Sequence, residues 1–428
     1  MSLLIKNIIL EGKKKDIFIE EDKIKKIGKN LNLKAKEKID GKGEKAVLPG
    51  LINCHCHAAM TLFRGYADDL PLKDWLEKKI WPLEAKLTED DVYWGTKLAC
   101  LEMIKTGTTC FNDMYWFEEV AIEAVKEMGL RAVIGLVLLD LLPMGSKSQV
   151  ERLYKKLKTN LQILKKMPWH KNYDGLLISL AISPHSIYTV SKENLIWAKN
   201  FAAKNNLLLH IHLSETEKEV KDCLKKYKLR PVEYLDKIGF LGENVILAHS
   251  IWLNDKEIEI LNKRRCHLVY NPCSNMKLAS GIFPYLEVKK AKINICLGTD
   301  GPASNNNLDL FEEMKFASLL QKIKERNSTV APANEILEIA TKNGAKALKI
   351  NSGQIKEGKL ADLLLVDLNQ IYFQPGHNFI SDLIYSANGN CVSDLICDGK
   401  ILMRDRIIEG EKEILKKATS IAKKLIKI

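Results

Sequence analysis

Arginine is scarce in this 428-residue chain: nine of its 66 basic residues are Arg, and the other 57, all Lys, are dispersed from end to end. Nucleic-acid surfaces concentrate charge on one face and rely on the forked guanidinium for bidentate contacts. A net charge of +12 spread in this way describes a solvated surface, so no nucleic acid is expected as a partner. Long apolar runs are missing too. None approaches the ~20 residues that span a bilayer, and Met1 to Leu10 lacks the layout of a signal peptide. The expectation is a soluble, untargeted, cytoplasmic protein without membrane contact. The ten cysteines include no CxxC pair, and a chain of this length needs no disulfide framework, so they read as reduced core thiols. No GxGxxG follows a strand-like run, which weighs against a dinucleotide-binding, doubly wound sheet.

What is present is ample core. Hydrophobic residues make up 46% of the chain and charged residues 28%, which excludes wholesale disorder. Residues 1 to 45 alternate short apolar runs (Leu3 to Ile5, Ile8 to Leu10, Ile17 to Ile19) with charged turns, the pattern of short antiparallel strands. From Val47 the texture changes to apolar runs separated by helix-length segments, the signal for repeated β-α units. The strand candidates are Ala46–His57, Thr108–Met114, Arg131–Leu139, Leu176–Ser183, Leu207–Leu213, Val245–Ile251, His267–Asn271 and Ile293–Thr299. Eight of them suit a (β/α)8 TIM barrel, with an open doubly wound sheet as runner-up. After Ile350 short strands return, including a hairpin around Asp398-Gly399. The expected division is 1–48 and 353–428 as the two parts of one small composite β domain, flanking a barrel over 49–352. Glu411 to Ile428 reads as a Lys-rich amphipathic helix with a solvated outer face.

The residues with chemical capacity fall at strand ends. In Asn53-Cys54-His55-Cys56-His57, strand alternation sends the two imidazoles to one face and the two thiols to the other, which makes half of a metal site and argues against a four-ligand Cys/His knuckle. His210 and His212 share a face in His210-Ile211-His212-Leu213-Ser214-Glu215, and Glu215 lies just beyond. Here a buried, satisfied His and a capping Ser are the structural alternative. His249 ends Val245-Ile246-Leu247-Ala248, and Asp300 ends the run from Ile293. Each alone has a structural reading as good as a functional one. Together they place ligands and acid-base groups at the carboxyl ends of strands one, five, six and eight, the rim where barrel enzymes carry their chemistry. Three His and one Asp suit one catalytic metal with a position left for water.

On these residues the chain resembles the amidohydrolase superfamily over nearly its whole length. Pro49-Gly50-Leu51-Ile52-Asn53-Cys54-His55-Cys56-His57 looks like its opening strand, and Ser352 to Asp362 looks like the exit from the barrel. Within the superfamily, Trp81-Pro82-Leu83-Glu84, His212-Leu213-Ser214-Glu215 and Thr299-Asp300-Gly301-Pro302-Ala303-Ser304-Asn305-Asn306 resemble the deaminases of 5′-deoxyadenosine, methylthioadenosine, adenosine and S-adenosylhomocysteine. The resemblance implies release of ammonia from adenosine nucleosides to give the inosines, in a homo-oligomer, tetramer or dimer. It implies one divalent metal per chain, zinc first and Fe2+ or Mn2+ as alternatives, on His55, His57, His212 and Asp300. His249 matches the histidine that helps activate water, Glu215 matches the proton shuttle, and Asp300 takes part in both ligation and catalysis. Glu84 and His185, with Glu215 and Asp300, match residues that contact the nucleoside. A guanine or cytosine deaminase, a dihydroorotase-like two-metal hydrolase and a non-catalytic scaffold are the alternatives. The two-metal type would need a bridging lysine at the end of strand four, where the chain has Ile182-Ser183-Pro184-His185.

The arginine with which some members of that family hold a substrate carboxylate has no counterpart between Val133 and Leu141. Asp140 would repel such a group if it lined the pocket, while Lys147 could replace the arginine as a point charge. A small, uncharged 5′ group is therefore expected.

Overall fold

The computed structural model describes residues 2–140 and 177–426. Five short strands open the chain: β1 (Ser2–Leu10), β2 (Lys13–Glu20), β3 (Lys23–Gly28), β4 (Glu37–Asp40) and β5 (Lys45–Pro49). Eight strands follow: β6 (Leu51–Cys56), β7 (Thr108–Met114), β8 (Arg131–Leu138), β9 (Ile178–Pro184), β10 (Leu208–Leu213), β11 (Val245–His249), β12 (His267–Tyr270) and β13 (Asn294–Leu297). β14 (Leu363–Asp367), β15 (Val392–Cys397) and β16 (Lys400–Met403) complete the set among the described residues.

β6 to β13 are hydrogen-bonded in sequence order, and every neighbouring pair is parallel. A strand covered on both faces reads as a largely apolar run, its polar residues partnered; β6, β7, β8 and β10 are buried at every residue. Helices such as Glu89–Lys105 and Lys192–Asn205 fill the connections, and the result is a (β/α)8 barrel. The last gap is bridged by one side chain. Asn53 donates to Thr299 Oγ1 (2.7 Å) and accepts from the Thr299 N–H (3.1 Å), while the Asp300 N–H donates to the His55 carbonyl at 3.0 Å. Inside, Ile52, Val133, Leu208, Ile246 and Val269 pack against Ala345 and Leu348 from the segment that plugs the amino end. The opposite end is left for polar groups.

β1 to β5 and β14 to β16 form a second sheet, ordered β16-β15-β14-β5-β1-β2-β3 with β4 beside β1. The chain's two terminal segments thus meet in the middle of this sheet, β5 against β14 with Pro49 opposite Leu363. The Asp398-Gly399 turn has positive φ at both residues (53° and 71°), as a tight hairpin with matched twist requires. A buried Arg131 on β8 ties this sheet to the barrel, reaching Asp362 (2.9 and 3.2 Å) and Asp398 (3.0 Å). Removing one partner of such a pair leaves an uncompensated buried charge and costs about 3–5 kcal/mol. In the final helix, Glu411–Ile426, Ile414, Ala418, Ile421 and Leu425 are the buried positions and its lysines face out. Among the described residues no helix is long and apolar enough to cross a membrane.

Two expectations need correction. The run Ala46–His57 is not one strand but β5 and β6, one in each sheet. Gly50 makes the break possible, because a Cβ there would lie 2.0 Å from Thr109 Oγ1. Strict alternation over residues 54–57 also fails, because the pairing of β6 with β7 is irregular between Asn53 and Cys56. Cys54 joins the barrel interior with Cys110 and Cys296, whereas Cys56 packs outside near Ala99 and Cys100. All ten cysteines are buried and free of disulfides.

Candidate active site

His55 and His57 leave β6, His212 ends β10, His249 ends β11 and Asp300 follows β13, so that the barrel gathers them at its carboxyl end. His55, His57 and Asp300 have ligand atoms within 4.8 Å of one another, as do His55, His212 and His249. The backbone bends sharply here: Ser214, His249, Ser250 and Asp300 all have positive φ. Such strain persists only where the surroundings over-determine it, and it gathers at functional sites.

Hydrogen bonds to carbonyl oxygens fix two of the rings. His57 Nδ1 lies 2.6 Å from the Met114 carbonyl and His212 Nδ1 lies 2.7 Å from that of His185. A carbonyl can only accept, so both Nδ1 atoms carry the proton and both Nε2 atoms present lone pairs. Those two lone pairs face each other at 3.4 Å. His55 Nε2, fully buried, has no hydrogen-bond partner and lies 3.3 Å from Asp300 Oδ1, which is 3.2 Å from His57 Nε2. Converging lone pairs beside a buried carboxylate call for a cation, and imidazole and carboxylate donors suit a divalent metal ion. At His57 burial opposes charge, but the Asp300 carboxylate outweighs it and lifts the pKa to about 9, so a proton competes with a metal ion for the Nε2 lone pair. Burial opposes charge at Asp300 as well, and its contacts with His55 and His57 hold it well below the usual range. His212 is pushed far down by burial, then by the neighbouring His185. His210 sits beneath this cluster, its Nε2 3.0 Å from His55 Nδ1.

Glu215 is held from behind. The carboxylate of Glu219 accepts from the backbone N–H groups of both Ser214 (2.8 Å) and Glu215 (2.9 Å), which fixes the turn and aims Glu215 at the cavity. Its Oε2 is 3.8 Å from His249 Nε2. Burial, then the charges of Asp300 and Glu219, raise its pKa well above the ordinary carboxyl range, which favours the protonated form. His249 Nδ1 meets the side-chain amides of Asn275 (2.9 Å) and Asn271 (3.3 Å), and burial lowers its pKa to about 3.

The cavity above these groups is lined by Leu72, Leu76, Trp81, Trp116, Val137 and Leu139 among others. Glu84 and His185 also line it. Glu84 is buried beside Tyr115 and Trp116; burial outweighs their hydrogen bonding and raises its pKa. His185 Nδ1 is engaged by Thr189 Oγ1 (3.0 Å) and Ser186 Oγ (3.3 Å), which leaves its Nε2 for a ligand. No Lys or Arg lies among the described lining residues. Asp140 is not in the lining, contrary to the possibility raised from sequence. Its carboxylate accepts from Ser191 N–H, Ser191 Oγ–H and Asn194 Nδ2–H (2.8, 2.5 and 2.6 Å), holding the start of the following helix. Lys147 lies outside the described residues. Glu219, Asn271, Asn275 and Ser274 were not singled out from sequence. Only Glu219 leaves a signal there, one helical turn beyond Glu215 in a segment already rich in polar motifs.

A family model described as the amidohydrolase family matches residues 46–402. A 5′-deoxyadenosine deaminase of Methanoregula boonei is 48% identical, over 100% of this chain and 96% of its own length. A 5-methylthioadenosine/S-adenosylhomocysteine deaminase of Thermococcus sibiricus is 46% identical over 94% of both. The zinc-bound crystal structure of an adenosine deaminase from Xanthomonas campestris superposes with a TM-score of 0.93 at 33% identity, covering 100% of this chain and 99% of that one.

Proposed function

We propose, for a chain that belongs to the amidohydrolase family, that it deaminates 5′-substituted adenosines by hydrolysis, giving the corresponding inosines and ammonia. The observation that carries this reading is the pair of imidazoles, His57 and His212, whose Nε2 atoms converge at 3.4 Å in a cavity that a buried Glu215 also lines. His55, His57, His212 and Asp300 would hold one divalent ion, zinc in the first instance, and the similarity to a zinc-bound adenosine deaminase supports that choice. Such an ion supplies a water molecule with its pKa brought down to about 7.

The remaining chemistry belongs to side chains. The C6 position of a purine becomes electrophilic when N1 is protonated. Glu215 is placed to give a proton to N1, to take one from the attacking water and deliver it to the departing amine, and to take back the second from the C6 hydroxyl as the carbonyl forms, so that it ends protonated as it began. His249, neutral at working pH, orients the oxygen opposite Glu215. His185 offers Nε2 to the base. Ammonia release from a panel of adenosine derivatives, with metal analysis of the same sample, tests this reading, and a two-metal site would show as two equivalents per chain.

Glu84 is read as a ribose ligand, since a carboxylate can accept from two vicinal hydroxyls at once. Glu84→Ala is expected to raise KM for ribosides far more than it lowers kcat. On an analogue lacking both hydroxyls the variant and the wild type should be nearly equal. A penalty of the same size on both substrates would contradict the role.

The cavity's apolar wall, with no Lys or Arg among its described lining residues, favours a small, uncharged 5′ group. An amino-acid tail would call for an Arg fork on its carboxylate. Specificity constants for 5′-deoxyadenosine, methylthioadenosine and adenosine should therefore equal or exceed that for S-adenosylhomocysteine. A preference for the last by more than about tenfold, some 1.4 kcal/mol of transition-state binding, would reveal a carboxylate anchor.

A further inference from the structure

The two oxygens of Asp300 have different surroundings. Oδ1 faces His55 Nε2 and His57 Nε2 at 3.3 and 3.2 Å. Oδ2 is turned away and receives two hydroxyls, Ser274 Oγ at 2.5 Å and Ser304 Oγ at 2.9 Å. Each hydroxyl has one proton to give. Ser274 also lies 3.2 Å from Ser304 Oγ, and Ser304 lies 3.1 Å from the Gly301 carbonyl, so Asp300 Oδ2 is the nearest acceptor to both. The serines come from different segments. Ser274 is in the short helix Pro272–Lys277 after β12, and Ser304 is in the loop after β13. Glu313, fully buried, joins those segments by accepting from the Cys273 N–H (3.1 Å) and from Asn305 Nδ2 (2.5 Å).

We propose that the Ser274 and Ser304 hydroxyls are a two-point clamp that limits Asp300 to a one-oxygen contact with the divalent ion and so keeps the adjoining position open for water. The inference rests on the metal reading of the His/Asp cluster and adds two positioning residues to it. A free carboxylate beside a metal ion can turn and chelate through both oxygens. Doing so here would require Oδ2 to abandon two charge-assisted hydrogen bonds. Both serines are buried, at 0% and 2% exposure, and although Ser304 also borders the cavity, both hydroxyls reach Oδ2 while the imidazole nitrogens face Oδ1.

The test uses the full-length enzyme loaded with cobalt(II), whose visible bands report coordination. Metal content, spectrum, kcat and KM are measured for the wild type, Ser274→Ala, Ser304→Ala, the double alanine variant and Ser274→Thr. The double variant is expected to keep about one cobalt per chain with an altered visible band. Its kcat should fall by roughly ten- to a hundredfold at little-changed KM, the usual scale for partners behind a ligand. Ser274→Thr keeps the hydroxyl and should retain both the wild-type band and most of kcat. A double variant with the wild-type spectrum overturns the clamp, whatever its rate. If the double variant fails to fold, Ser304→Ala alone must show part of the band change, and an unchanged band overturns the clamp equally. A wild-type chain that takes up no cobalt fails at the first measurement and sinks the metal reading itself.

Discussion

Glu215→Gln is expected to lose turnover by a factor of about 10³ to 10⁴ while keeping its fold and its metal. The amide is nearly isosteric, and the backbone contacts from Glu219 that shape the turn involve main-chain N–H groups, not the side chain at 215. What disappears is the proton. Burial and the nearby Asp300 and Glu219 charges raise the Glu215 pKa, which favours the protonated carboxyl group that gives its proton to N1 in the proposed reaction. Glutamine cannot give one. His249 lies 3.8 Å away but cannot take over, because burial holds its pKa at about 3. Steady-state kinetics on 5′-deoxyadenosine with metal content measured alongside provides the check. A variant retaining more than about a tenth of wild-type kcat would assign the shuttle to another group.

Removal of the metal is expected to have an even larger effect. Without it the pKa of the attacking water returns from about 7 to about 15.7, and activity should fall by more than about 10⁴-fold after dialysis against a chelator, returning when zinc is added. His212→Ala removes one of the two locked lone pairs. Its expected result is loss of tightly held metal together with activity. Both measurements belong to the same samples, because a protein that loses metal and keeps its rate would refute the central role of the cluster.

Much of this architecture was legible in the chain. Parallel strands covered on both faces are mostly apolar, so runs such as Leu207–Leu213 and Val245–Ile251 stand out between amphipathic helices. A barrel carries its chemistry at the carboxyl ends of strands, so His212, His249 and Asp300, each ending an apolar run, drew notice individually. Other features left less trace. The change of sheet at Gly50 depends on contact with Thr109, a residue far along the chain. The irregularity in β6 that separates Cys54 from Cys56 depends on pairing with β7. Whether Asp140 lines the pocket was open from sequence, and its carboxylate turns instead to hold the start of the helix beginning at Lys192. Ser274 and Ser304 meet Asp300 from separate loops, and hydroxyls gathered across 30 positions follow no sequence period. Contacts of this kind are set by the closed barrel, and only the folded chain shows them.

The most direct measurement is a titration of metal-stripped protein with zinc, with ammonia release from 5′-deoxyadenosine followed at each addition. Activity is predicted to rise from near zero, linearly, and to reach a plateau at one equivalent per chain. A plateau at two equivalents, or ammonia release that is already maximal before zinc is added, would contradict the account.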